Sequence, residues 1–298
     1  MRPIESAETP TITREPVVPE MPPAGRALSR ALRFEYLKLR GLRSTWIVLA
    51  VLAGFSLLNG VLLPTESTSP EGGGRKFLEV ARLVDTLEFN PTAMQLPMTA
   101  WLLVFTLGTG SVTSEFGYRL ARTTWLTVGS RRDAYVAKLI VGATGALVAT
   151  GLSLALSAAT GAVSLAVVGV TPPDWAAALA PLLRYLLVMA CLPVLAAGLA
   201  ALVRGRVASA LALSLWPLFV ERIVGFALER IPGAGDVSSW LPFAAARAAM
   251  NGAGTADDFT MALIGSDLSP GVALSVFCTY TLVIAGCGWL VYQRREAP

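Results

Sequence analysis

Long uncharged apolar blocks, separated by short charged stretches, set the pattern of this chain. Residues 45–63, TWIVLAVLAGFSLLNGVLL, form the first block, and residues 96–114, LPMTAWLLVFTLGTGSVTS, form the second. A third begins near Ala137 and stays uncharged from Leu139 to Pro173; others cover 181–203, 207–228 and 271–292. About 20 apolar residues suffice to cross a bilayer as a helix. The blocks are continuous and lack period-two alternation, which predicts helices and argues against a transmembrane barrel. The expected fold class is therefore all-α, a polytopic membrane protein with six transmembrane helices. The third run is too long for one crossing and short for two with a turn. Reading it as two helices would put Arg204 and Arg206 on the outer side, so one long helix extending beyond the membrane is expected.

Charge assigns the sides. Arg26, Arg30, Arg33, Lys38, Arg40 and Arg43 precede the first span, against Glu35 alone. Arg119, Arg122, Arg131, Arg132 and Lys138 lie between the second and third, against Glu115 and Asp133. The alternate connections carry the acids: Glu66, Glu71, Glu79, Asp85 and Glu88 in one, and Glu229, Asp236, Asp257, Asp258 and Asp267 in another. Cytoplasmic loops are enriched in Lys and Arg, so both termini are expected in the cytoplasm, with the chain in the plasma membrane. Residues 1–25 carry six prolines and no apolar core and read as a disordered cytoplasmic tail. Residues 26–298 then form one six-helix domain.

Two charged segments are amphipathic. In residues 27–43, ALSRALRFEYLKLRGLR, one face at helical spacing carries Leu28, Ala31, Leu32, Leu39 and Leu42, and the other carries Arg30, Arg33 and Arg40. Such a helix lies at the membrane surface. Glu35 projects from its apolar side. It is either a solvated charge paired with Lys38 at i+3 or a contact to a neighbouring subunit or cytoplasmic loop. In residues 113–138, TSEFGYRLARTTWLTVGSRRDAYVAK, Tyr118, Ala121, Trp125 and Val128 share one face. Arg119, Thr123, Thr127 and Ser130 share the other, and GSRRD (129–133) breaks the helix. This segment can lie among lipid headgroups or fit a cleft on a soluble partner.

These motifs resemble those of the permease subunits of ATP-binding-cassette exporters of the type-2 family, especially actinobacterial ones. The matching residues are Glu35, Lys38 and Arg40 before the first span, and Ser114, Glu115, Thr123, Thr124, Arg131, Arg132 and Lys138 after the second. The resemblance implies that the first segment is an elbow helix, with Glu35, Lys38 and Arg40 as its marker residues. It makes the second a coupling helix docked on a cytoplasmic ATPase through Glu115, Tyr118, Arg119, Arg122, Trp125, Arg131 and Arg132. It also implies re-entrant helices before the last span, in SSWLPFAAARAAMNGAG (238–254); the residues themselves read as an interfacial helix anchored by Trp240 and Phe243, or as a packed extracellular loop. As a permease the chain would be half a transporter, paired with itself or with a related permease.

The chemistry adds exclusions. Only 15% of residues are charged and mean hydropathy is +0.61, far from a soluble domain. With no histidine, His-based catalysis and His metal sites are excluded. Cys191, Cys278 and Cys287 form no CxxC pair and read as buried small hydrophobes. GGGRK (72–76) lacks the spacing of a phosphate-binding loop, so no catalytic, cofactor or metal residues are expected and ATP would be bound by a partner. Arg184, Glu221 and Arg222 fall inside predicted spans. Charges there are costly and usually pair, and a Glu221–Arg184 pair is expected. The span interiors suit an amphipathic cargo: a drug, an antimicrobial peptide or a lipid. The rival readings are an ATP-independent transporter or membrane enzyme, and a non-transporting immunity or regulatory subunit of the same fold. The two halves of the chain show no convincing match to each other, as many secondary transporters would.

Overall fold

The structure, a computed structural model, describes residues 24–67, 98–117, 120–169, 175–203, 205–232, 235–251 and 265–294. Every regular element among them is helical. Four helices are long and apolar enough to cross a membrane: Arg43–Leu62, Arg131–Val168, Leu179–Leu202 and Pro270–Arg294. The chain is thus a multi-pass membrane protein by helix length and composition. The GGGRK motif lies outside the described residues, as do Tyr118 and Arg119.

In chain order, α1 (Ala24–Gly41) and α2 (Arg43–Ser67) are followed by α3 (Met98–Leu103) and α4 (Gly110–Gly117). A π-helical segment, Val104–Thr109, joins α3 and α4 into one continuous rod. Its wider turn is visible in its bonds. The Gly110 N–H reaches Phe105 O, and the Thr109 hydroxyl donates to Val104 O at 3.0 Å, both five residues back. Next come α5 (Ala121–Val128), α6 (Arg131–Val168) and α7 (Trp175–Leu202). A second π segment, Trp216–Val220, joins α8 (Arg206–Leu215) to α9 (Glu221–Glu229). A 3-10 turn, Gly235–Trp240, leads into α10 (Pro242–Asn251), and α11 (Pro270–Arg294) ends the described chain.

The long uncharged third run folds as one helix through Val168. At 38 residues, α6 is about 57 Å long, nearly twice a bilayer's hydrocarbon thickness of about 30 Å. Its first two turns, from Arg131 to Lys138, precede the uncharged stretch. The break before it follows local chemistry. Gly129 closes α5 in the left-handed region at φ 82°, its N–H bonded to Trp125 O. Ser130 then caps α6 by accepting from the Asp133 N–H at 3.2 Å.

In lipid, apolar helices gain little from hydrophobic burial against each other, so close packing and hydrogen bonds set the contacts. Along α2 and α6, the Ser56 and Ser153 hydroxyls share a hydrogen bond of 2.6 Å. Ser164 Oγ donates to Gly60 O at 2.7 Å. α7 is the central helix, packed against α6, α11, α10 and the first π segment. Its crossing with α11 is closest at Gly198 and Gly288. A Cβ on Gly288 would lie 2.6 Å from Gly198 O and 2.8 Å from Tyr135 Oη.

α10 is a helix and not a loop, and protein covers it: Phe243 through Met250 are all buried, with α10 packed against α7 and α11. Phe243 stacks on Phe277 with ring centroids 6.4 Å apart, while Trp240 stays exposed. An alanine-rich helix is thin enough to enter the bundle, which period-based reasoning did not weigh. The cysteines depart from expectation. Cys191 and Cys278 are half-buried with sulfurs 3.7 Å apart, and Cys287 is exposed.

Gly288→Ala is expected to destabilise the protein by about 1–3 kcal/mol, because backbone atoms block the new methyl. Gly286→Ala, two residues away with nothing within 4 Å, is expected to be neutral or to gain up to about 1 kcal/mol of helix propensity. Thermal unfolding of the detergent-purified variants compares them directly.

Candidate functional site

At the end of the bundle where α4 stops and α6 begins, charges are buried in an otherwise apolar protein. Lys138, on α6, is 2% exposed; Glu35, on α1, is 2% exposed and Glu115, near the end of α4, is 1% exposed. The Lys138 ammonium contacts both carboxylates, reaching Glu115 Oε1 at 2.5 Å and Glu35 Oε1 on its other side. Lys38 adds a second cation, 3.1 Å from Glu115 Oε1 and 3.7 Å from Glu35 Oε2. Two carboxylates and two ammonium groups leave the cluster neutral. A buried ion set is sustained only with matching charges and further hydrogen bonds, and both are present.

The extra bonds come from α5 and α11. Thr124 Oγ1 donates to Glu115 Oε1 at 3.2 Å, and Tyr292 Oη donates to Glu115 Oε2 at 3.4 Å. Trp125 Nε1 donates to Tyr292 Oη at 3.0 Å, and the two rings meet edge to face. Tyr135 packs against Tyr292 with centroids 5.1 Å apart and donates to Ala285 O across to α11 at 3.0 Å. Arg131 closes the outside. Its guanidinium lies 4.2 Å from the Trp125 ring centroid and donates to Gln293 O at 3.0 Å.

Glu115 sits one residue past the second apolar block. Burial alone would push its carboxyl up, but Lys138 and Lys38, by charge and hydrogen bond, outweigh that and hold it below the ordinary 4.5.

The predicted residues divide into two groups. Glu35, Lys38, Glu115 and Trp125 converge on the buried cluster. Glu35 is not solvated; it meets Lys38 on its own helix and Lys138 across from it. Glu115 and Trp125 face inward, so neither belongs to an exposed docking surface. Arg122, Arg131 and Arg132 are exposed, as are Thr123, Leu126 and Thr127 on the outer face of α5. Leu126 is 76% exposed. Arg40 is exposed, and its backbone carbonyl accepts from Trp46 Nε1 at 3.0 Å. Lys138 and Thr124 are cluster members that the sequence offered only as matches to the resemblance, with no role attached, and Tyr292 was not singled out at all. The one available signal was Glu35, an acid on the apolar side of α1 in need of a cation.

The second set of charges also rearranges expectation. Glu221 does not pair with Arg184. Both bind α10, at opposite ends. Glu221 accepts the N–H groups of Phe243 at 2.8 Å and Ala244 at 2.9 Å, and has Arg247 at 3.8 Å. Arg184 Nε donates to Ala249 O at 3.3 Å. A helix end leaves unpaired N–H or C=O groups and a partial charge, and each residue meets the end of opposite sign. Arg222 is half-buried beside Glu221.

Among the described residues, no cluster of Cys, Asp and Glu is placed to hold a metal ion. No family model matches the chain, and no curated protein and no solved structure matches it either.

Lys138→Met removes the fully buried cation and leaves the two carboxylates only the partly exposed Lys38, and is expected to cost about 3–5 kcal/mol of stability. Adding Glu35→Gln removes one of those like charges and is expected to recover part of the loss in thermal unfolding. The pH dependence follows from the lowered Glu115 carboxyl. The stability it contributes is complete above the ordinary value of 4.5 and is lost as pH falls below it. Glu115→Gln should flatten that acid limb of the melting-temperature profile while lowering the plateau near neutrality.

Proposed function

We propose that the chain is the membrane-spanning permease subunit of an ATP-driven exporter. Six spans carry it: the four long apolar helices, plus residues 98–114 and 207–228 of the two π-interrupted rods. The α5 end faces the cytoplasm and both termini lie on that side of the plasma membrane. A second copy or a related permease supplies the other half of the path, and the cargo is amphipathic. ATP is bound and hydrolysed by a separate cytoplasmic subunit, which docks on α5.

One observation carries the reading: α5 is two-faced and bonded to the ends of the long helices. Its inner face holds Thr124 on Glu115 of α4 and Trp125 on Tyr292 of α11, with Arg131 of α6 over the Trp125 ring. Its outer face offers Arg122, Thr123, Leu126 and Thr127 to a partner, with Arg132 beside them. A partner pushing on that face would move the starts and ends of spans together. A helix that merely lay in the headgroups would expose its apolar face to lipid, whereas here Ala121, Trp125 and Val128 are buried in the protein.

The test is affinity purification of the tagged protein from its native membrane in mild detergent. A nucleotide-binding ATPase is expected to co-purify. Its recovery should fall at least about tenfold in the variant Arg122→Glu/Leu126→Asp/Arg132→Glu, the loss of 1.4 kcal/mol or more of binding. Those side chains are exposed, so helix content and melting temperature should stay unchanged. An intact wild-type protein that brings down no ATPase, or one whose ATPase recovery is indifferent to the variant, sinks the proposal.

A further inference from the structure

We propose that the groove between α1, α2, the first π segment and α6 holds one anionic phospholipid of the leaflet at the α1 end, its acyl chain in the groove and its phosphate on Arg33 and Arg40. The groove has a volume of about 970 Å³. Its walls include Leu49, Leu107, Val141 and Leu152. Arg33, Tyr36, Arg40 and Trp46, all exposed, also line it.

Three observations select this occupant. The first is length. The groove follows α6 from Ile140 to Leu152, a rise of about 18 Å. Half of a roughly 30 Å hydrocarbon core is about 15 Å, the depth of a single leaflet's chains. The second is polarity. Walls so apolar give water few partners, and the lining residues Val148 and Leu152 are largely exposed, so the groove is open to the hydrocarbon phase.

The third is charge. Arg33, Tyr36 and Arg40 repeat at i, i+3 and i+7 and so share one face of α1. Glu35 and Lys38 turn the other way, into the buried cluster, so α1's only acid is spent there. No described carboxylate lies within ion-pair distance of Arg33 or Arg40. The guanidinium fork matches the oxygens of a phosphate. A second copy of the chain would be a poorer counter-ion. Among the described residues near this end, Glu35 and Glu115 are buried and Asp133 is half-buried. Tyr36 and Trp46 add amphipathic rings suited to headgroup level. The inference requires membrane embedding and stands whether or not the chain partners an ATPase.

The experiment uses the full chain, purified in detergent and stripped of lipid, with melting temperature as the readout. Dioleoyl phosphatidylglycerol should raise the melting temperature by several degrees, and dioleoyl phosphatidylcholine should raise it less. Dihexanoyl phosphatidylglycerol, with the same headgroup and short chains, should do little. Arg33→Ala/Arg40→Ala should abolish the preference for the glycerol headgroup. Val148→Trp, which fills the groove from an exposed position, should abolish both responses without changing oligomeric mass. Equal responses to the two dioleoyl lipids in the wild type overturn the proposal, and so do equal responses to long and short chains. Neither comparison depends on a variant folding. A Val148→Trp protein that turns from dimer to monomer would assign the groove to a second copy and overturn it as well.

Discussion

One buried ammonium group organises an end of this molecule. Lys138 lies in the second turn of α6 with almost no access to water, in a largely apolar interior. An isolated charge there would cost several kcal/mol. Glu35 and Glu115 remove that cost, but two carboxylates on one cation leave a net negative charge, and Lys38 cancels it. Glu35 and Lys38 both come from α1, and Glu115 comes from the end of α4. Satisfying Lys138 therefore brings α1 onto α6 and the end of α4 against both. The small residues Ala27 and Ala31, buried beside Glu35 on the same face of α1, let that helix come close. The remaining oxygen capacity of Glu115 then recruits Thr124 and Tyr292, which positions α5 and the end of α11. A charged side chain missing from this set leaves the others unmatched, so the five elements are secured together.

The far end solves a related problem with helix termini in place of a second lysine. α10 is short and buried, so its free N–H and C=O groups cannot be left to water. Glu221 takes the N-terminal amides and Arg184 a C-terminal carbonyl. The two charges that look like partners along the sequence are thus placed at opposite ends of a third element. A charge inside an apolar stretch announces that it needs a partner; it does not announce whether that partner is a side chain or a helix end.

That distinction marks how much was legible beforehand. The long apolar blocks announced the four bilayer-length helices, because continuous hydrophobicity needs no tertiary information. Positive-side parity was enough to read residues 139–168 as one helix, and Gly129–Ser130 carried the break before it in its own turn and cap chemistry. The facing of α5 was not legible. Ala121, Trp125 and Val128 make the same apolar stripe whether lipid or protein covers it, and only the partner, Tyr292, 167 residues away in the chain, decides. The π segments were not legible either, since an extra residue in a turn barely disturbs the hydrophobic spacing around it. Lys138 read as a motif match and one more positive-side charge, because neither the motif nor positive-side counting says which basic residue is buried. Glu35, out of place on the apolar face of α1, was the one sign that a cation had to be buried near it.

The two faces of α1 connect these observations. Inward, Glu35 and Lys38 join it to a cluster that is neutral, dry and well bonded, and hydrogen bonds of that kind gain strength in a low-dielectric interior. Such a cluster transmits displacement better than it absorbs it, because yielding means separating charges that have no water to replace one another. Outward, Arg33, Tyr36 and Arg40 border an apolar groove that reaches about one leaflet deep along α6. On the proposed reading, a push on the exposed face of α5 passes through Thr124 to Glu115 and onward to α1. The response of α1 must then depend on what fills the groove on its other side. A bound lipid would resist movement of α1 toward α2, whereas an empty groove would let it close. Because the cluster and the groove share this one helix, what fills the groove and what presses on the exposed face of α5 act on the same element from opposite faces.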